Sequence, residues 1–314
     1  MSVSQAQPVV TAMPPHKVLT QSRERRREAR FGLGMIALSV ILVAVFTAGP
    51  ILASFVLSFF SWDVISSPKF VGINNYKRVV SDSSVLHSLA VTLGLGIAIV
   101  VLQIVFGLIL AVLVNQRRGN TSRVFFRTAF YLPLLASSAA VSIFMGYLFD
   151  AKFGVINYYL GLIGISNVPW LTTPIGAMVT VVLVAVWQQT GFTFVLFVAA
   201  LMSVPTDVLE AAQIDGAGPF RTLLRIKIPL ISPTILFAAV VAMINSMQLF
   251  DQPYIMTAGG PGNATTTMPI VMYRAGFQNL QFGFGSAIAI LLLAVILAIT
   301  GLQFLAARKL VFYQ

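Results

Sequence analysis

The chain has 314 residues, of which 58% are hydrophobic and only 9% charged, with a mean hydropathy of +0.90. A water-soluble domain carries about 25% charged residues, so a soluble globular fold is excluded first and a membrane-spanning one is expected. The net charge is +11, but the basic residues sit between apolar runs, where they set topology rather than bind nucleic acid.

Taken from the N-terminus, residues 1–30 are polar and basic, with Arg23, Arg25, Arg26, Arg27 and Arg30. They read as a mostly disordered cytoplasmic tail. The apolar run that follows, from Phe31 to Phe60, is about twice the length of a signal-peptide core and reads as a retained first span. Gly49-Pro50 is expected to kink it, because proline removes a backbone donor. Five further apolar runs follow, at 86–114, 128–148, 175–203, 231–250 and 284–307. Each reaches the roughly 20 residues that cross a hydrocarbon core. Backbone groups in lipid must pair within the segment, so runs of this length are helices. The expected fold is therefore all-α, a polytopic membrane protein with six transmembrane helices over residues 31–314.

Charge placement orients these spans. With the N-terminus cytoplasmic, fifteen of the twenty Lys and Arg fall on the cytoplasmic side. This asymmetry supports an even number of spans with both termini inside. All carboxylates lie outside the apolar runs. Ion-coupled carriers place an ionisable group within the membrane, so the energy for any transport is expected to enter from elsewhere. Cysteine is absent, which removes disulfides, thiolate metal sites and a cysteine nucleophile. His16 and His87 are far apart and read as incidental. No Ser-His-Asp, paired-carboxylate or metal-ligand constellation occurs within a span.

The most informative segment is the predicted cytoplasmic loop 204–230. Thr206 or Asp207 can N-cap a short helix, with Glu210 at capping-box spacing. Gly216 ends that helix. Pro219 suits the first turn of a second helix carrying Phe220, Leu223 and Leu224, and Pro229 is expected to stop it. Helices of about ten residues are marginal alone in water, so this pair needs a surface, either the protein's own spans or a partner. Its wording resembles the EAA loop of ABC importer permeases: Glu210-Ala211-Ala212, then Gly216, Ile226 and Pro229 at the family spacing, with Ile228 where Leu is usual. Asp215-Gly216-Ala217 is similar to the sugar-type form. Outside the loop, Phe70-Val71-Gly72-Ile73-Asn74-Asn75-Tyr76, Phe126-Arg127-Thr128 with Leu132-Pro133, Gly259-Gly260-Pro261 and Phe284-Gly285-Ser286-Ala287 resemble further elements of that family. The likeness covers residues 30 to the C-terminus and is greatest to maltose F-type and glycerol-phosphate A-type permeases.

That resemblance implies a permease subunit of an ATP-driven, binding-protein-dependent importer in a bacterial or archaeal inner membrane. It implies a second related permease, two ATPase subunits and an extracytoplasmic binding protein as partners, with membrane lipid around them. Glu210, Ala211, Ala212, Asp215, Gly216, Ile226 and Pro229 would form the contact with the ATPase. No G-x-x-x-x-G-K-[ST] sequence is present, so the chain is expected to bind no cofactor and to be no enzyme, with ATP and Mg on the partner subunits. Gln188, Asn245, Gln248 and Asp251 are candidates for the substrate pathway. Each either hydrogen-bonds between helices or faces a wet cavity. Amides beside aromatics suit a carbohydrate, whereas Arg274 and the outer lysines suit an anionic sugar phosphate or have no specific role. A secondary transporter, or a scaffold with no ATPase, is the alternative; it would lack any use for the EAA spacing.

Overall fold

The computed structural model describes residues 16–115 and 120–310. It divides into two units, Met1–Ala53 and Ser54–Gln314. In the first, helix His16–Val43 passes through a wide π-type turn, Ala44–Ala48, into helix Gly49–Leu57. The tail expected to be disordered to residue 30 is therefore helical from His16. Residues 23–30 are Arg, Glu and Ala, strong helix formers. They extend a helix that the apolar stretch has already nucleated, which is the costly step. At Gly49-Pro50, where a kink is expected, the regular ladder is interrupted by the wide turn just before the proline, and Glu28–Leu57 is one 30-residue span. Gly49 donates to the carbonyl of Ala44, five residues back. The extra residue moves the ladder away from the Pro50 ring, which would otherwise strike a carbonyl four residues back.

The second unit opens with a small hairpin, Phe60–Ser61 antiparallel to Lys69–Phe70, with Phe60 opposite Phe70. It leads into the short helix Asn74–Ser81. The Phe70–Tyr76 sequence works as a clamp. Gly72 takes φ +57, where a side chain is disfavoured. Asn75 then donates to the carbonyls of Ser58 and Phe60 at 2.8 and 2.9 Å. The Tyr76 hydroxyl meets that of Ser58 at 2.6 Å.

Among the described residues five helices are long and apolar enough to cross a membrane: Glu28–Leu57, Ser83–Asn115, Pro174–Met202, Ser232–Thr257 and Phe282–Arg308. The remaining predicted span, 128–148, is not one straight helix. It is two, Val124–Leu135 and Ser138–Leu148, meeting at 98°. Pro133 lacks a donor near the end of the first, and Ser137 is extended at the corner. Counted as one broken span, the pair gives six.

Ser83–Asn115 and Pro174–Met202 lie along one another at the centre of this unit. Small residues set the spacing. A Cβ on Gly107 would come within 2.4 Å of Thr193 Oγ1; against a different helix, Asn120–Leu135, one on Gly191 would come within 2.5 Å of the Phe130 carbonyl. Thr193 Oγ1 donates to the Gln103 carbonyl at 3.2 Å. On the outer face of Ser83–Asn115, Ile97, Val101, Val105, Ile109 and Leu113 are exposed at four-residue spacing, while Ile99, Gln103, Gly107 and Ala111 are buried. A helix apolar on both faces, with one face outward, fits a lipid surround rather than water.

Candidate functional site

The loop after Pro174–Met202 begins with helix Thr206–Ile214. Pro205 occupies the N-cap position and no side chain caps the helix, so the capping box expected from Thr206, Asp207 and Glu210 does not form. Pro205 pushes Thr206 and Asp207 one place too far into the first turn. Asp207 still sits where a negative charge favours the helix dipole. The C-terminal expectation is met in detail. Gly216 takes φ +71, its N–H bonds to the Gln213 carbonyl at 3.0 Å, and the Ala217 N–H bonds to that of Ala212 at 2.9 Å. This is the double closure of a Schellman turn. Gly218 is extended, and Pro219 starts the next helix, Pro219–Thr222.

Pro229 does not stop that helix. A second π-type turn, Leu223–Lys227, intervenes, and helix Ile228–Leu230 carries the proline through. The chain breaks at Ile231 instead, and Ser232–Met247 begins with Pro233 in its first turn. The solution matches that at Pro50: Ile228 donates five residues back, to Leu223.

The expected contact residues divide. Glu210, Ala211, Asp215 and Gly216 are exposed, Ile226 and Pro229 are half-buried, and Ala212 is turned inward at 6% exposure. The largest apolar projections are residues that the spacing did not single out as contacts: Ile214 at 87% and Phe220 at 72%. They flank the glycine turn on either side. Apolar residues at the tip of an otherwise polar loop were the available signal.

The four pathway candidates also separate. Gln188 is buried; its Nε2 donates to the Ala136 carbonyl at 3.2 Å, and its Oε1 accepts from Gln252 Nε2 at 2.9 Å. Gln252 also donates to Ser138 Oγ at 3.0 Å. These two amides hold the corner of the broken helix, where backbone groups leave their ladder and need partners. Gln188 is thus a clasp between helices and not a cavity wall. Asn245 and Gln248 are exposed, and Asp251 is half-buried at the start of helix Asp251–Thr257. Gln248 lines a hollow of about 440 Å³ with Phe250, Met272, Tyr273, Phe277 and Leu292. Its aromatics form a ladder: Phe250 stacks on Tyr254 at 4.9 Å and meets Tyr273 at 5.4 Å, and Tyr273 stacks on Phe277 at 5.6 Å. This ladder was not read from the sequence, because its rings come from two segments about twenty residues apart.

The sequence and the overall fold recur in known proteins. The profile of the family described as binding-protein-dependent transport system inner membrane component matches residues 103–311. The trehalose/maltose transport system permease protein MalF of Thermococcus litoralis is 34% identical over 284 residues, covering 89% of this chain and 94% of that one. The multiple sugar-binding transport system permease protein MsmF of Streptococcus mutans is 32% identical over 281 residues, covering 89% and 96%. Among solved structures, a chain of a bacterial alginate ABC transporter, crystallised with its alginate pentasaccharide-bound periplasmic protein, superposes with a TM-score of 0.80. That match is 22% identical and covers 91% of this chain and 96% of that chain. The fold is that of an ABC importer permease domain. The chain belongs to the family of binding-protein-dependent transport system inner membrane components, and is a permease subunit that forms part of an importer's translocation pathway.

Proposed function

We propose that the solute is a carbohydrate, and that it passes the ladder of Phe250, Tyr254, Tyr273 and Phe277, with Gln248 and Asn245 offering amides to its hydroxyls. The ladder beside Gln248 is the observation that carries this reading. A sugar ring has apolar C–H faces and a polar rim, and a mainly apolar hollow with a few convergent polar groups suits it. The named relatives that transport maltose, trehalose and multiple sugars support the same class.

Energy enters through Thr206–Ile214 and its glycine turn. Ile214 and Phe220 seat in an ATPase subunit, and Glu210 offers it a charge; ATP and Mg are bound there, not here. A second related permease completes the pathway, two ATPase subunits bind below, and both termini are cytoplasmic.

The test is purification from the native membrane in mild detergent, mass spectrometry of stoichiometric partners, and reconstitution for uptake of radiolabelled disaccharides against glycerol 3-phosphate. An ATPase, a second permease, a binding protein and disaccharide uptake are expected. A chain recovered alone, folded and still transporting would overturn the coupling role. Uptake of glycerol 3-phosphate in preference would overturn the carbohydrate.

A further inference from the structure

A hollow of about 680 Å³ lies beside Ser83, Ser84 and His87, at the start of the Ser83–Asn115 helix. The ATPase-coupling loop lies at the other end of that helix, where Leu209 and Gln213 line a hollow with Val112 and Asn115. Roughly 40 Å of helix separates the two, the full thickness of a bilayer with its headgroups. The first hollow therefore opens on the face opposite the coupling loop.

Two guanidiniums line it, and each donates a hydrogen bond to a neutral group. Arg78 Nη1 donates to Gln281 Oε1 at 2.8 Å, and its Cζ lies 3.8 Å above the Phe284 ring. Arg274 Nη2 donates to the Ala258 carbonyl at 2.7 Å. A Cβ on Gly259 would come within 3.2 Å of that nitrogen, so the glycine leaves the guanidinium its place. Each guanidinium has five N–H donors, and one of each is used in these bonds. The one carboxylate in the lining, Asp82, is engaged by the N–H and hydroxyl of Ser84 and also feels the charge of Arg78, so it offsets part of the positive charge but leaves the hollow net positive. His87 Nε2 contacts the Asn263 carbonyl at 3.2 Å and adds a polar wall.

Two fixed cations with spare donors in a concave site select an acceptor-only, negatively charged group. The site sits apart from the aromatic ladder. Val271, Arg274 and Ala275 face it, whereas Pro269, Met272, Tyr273 and Phe277 of the same segment face the hollow at Gln248. A solute moving past the ladder is on the far side of that helical segment.

We infer that this hollow is a socket for an acidic side chain, Asp or Glu, of the extracytoplasmic binding protein, taken up when the loaded protein docks. The inference rests on the importer reading and deepens it by naming the contact. Both arginines reach the carboxylate, and their charge steers the partner to the permease.

The experiment uses the whole complex in lipid nanodiscs and the binding protein that purifies with it. Affinity is measured by interferometry across a range of salt concentrations. Arg78→Gln with Arg274→Gln weakens docking about tenfold and flattens its salt dependence. Asn263→Asp, which adds a like charge at the rim and leaves both arginine contacts in place, weakens it several-fold; it guards against misfolding of the double variant. Arg274→Lys, treated with a zero-length carbodiimide, cross-links to one Asp or Glu of the binding protein. Affinity within twofold of the parent in both the double variant and Asn263→Asp, in a complex that still imports, overturns the socket and leaves the importer reading intact. Normal docking with defective uptake of carboxylated saccharides alone also overturns it, in favour of a solute site. A complex that contains no binding protein overturns both.

Discussion

At Gly216 the backbone sits in the left-handed region at φ +71, with open space where a Cβ would be. Substitution there meets no clash, only a conformational cost of about 1–2 kcal/mol. Gly216→Val is expected to insert and assemble normally but to lower transport-coupled ATP hydrolysis, because the double closure that presents Ile214 and Phe220 loosens. Wild-type coupling in the reconstituted complex would refute the role assigned to the turn. Asp82 offers a second residue-scale test. It accepts from the Ser84 N–H at 2.9 Å and so caps the Ser83–Asn115 helix. Asp82→Ala is expected to cost about 1 kcal/mol of stability. The Ser84 hydroxyl and nearby N–H groups hold the carboxyl below its ordinary value of 3.8. A depressed acid contributes fully above that value and loses its contribution as pH falls through the lower folded one. The deficit of the alanine variant should therefore be constant between about pH 5 and 8 and shrink below about pH 4, as followed by unfolding in nanodiscs. Gly216 was legible in the sequence because only a left-handed turn needs glycine there. The inward face of Ala212 was not, because the phase of a nine-residue helix depends on where its axis docks.

The elements show which sequence signals carry and which do not. Five spans were readable from run length alone, since hydrocarbon thickness sets it. The break at residues 136–137 was not, because it depends on Gln188 and Gln252, distant in sequence, supplying partners at the corner. Pro229, expected to end its helix, misled in the same way, and its local setting matches that of Pro50. Each breaks a regular ladder, and each follows a five-residue wide turn that admits it. Helix spacing yields the clearest prediction here. A Cβ on Gly191 meets the Phe130 carbonyl at 2.5 Å and Tyr131 Cα at 3.1 Å, both backbone, whereas one on Gly96 meets the mobile end of Met247. Gly191→Val is therefore expected to abolish the folded, assembled protein, and Gly96→Ala to be accommodated with a loss of about 1–3 kcal/mol. Equal yields of the two variants on size exclusion would show that the crossing is less rigid than its contacts indicate.

For the whole molecule the charge asymmetry predicts an orientation with both termini cytoplasmic, and the absence of cysteine makes it simple to test. Ser66 is exposed in the loop after the first span, and Ser4 lies before it. In intact spheroplasts Ser66→Cys should react with a membrane-impermeant maleimide, and Ser4→Cys only after permeabilisation. The reverse pattern would invert the topology and place the loop proposed to meet the ATPase outside, where no cytoplasmic ATPase could reach it. One connection has mechanical weight. The Pro174–Met202 helix holds the amide clasp at Gln188 and is followed, three residues past its end, by the helix Thr206–Ile214 proposed to couple to the ATPase. From Gln188 the helix runs on for roughly 21 Å to Met202, and three non-helical residues, 203–205, then join it to Thr206. Such a rod is a crank: pivoted at the clasp, a tilt of about 5° gives its far end a stroke of about 2 Å at that length. If the proposed ATPase contact holds, a nucleotide-driven movement of that size at the loop would be felt at the corner of Ala136 and Ser138, without any side chain in between having to change its rotamer.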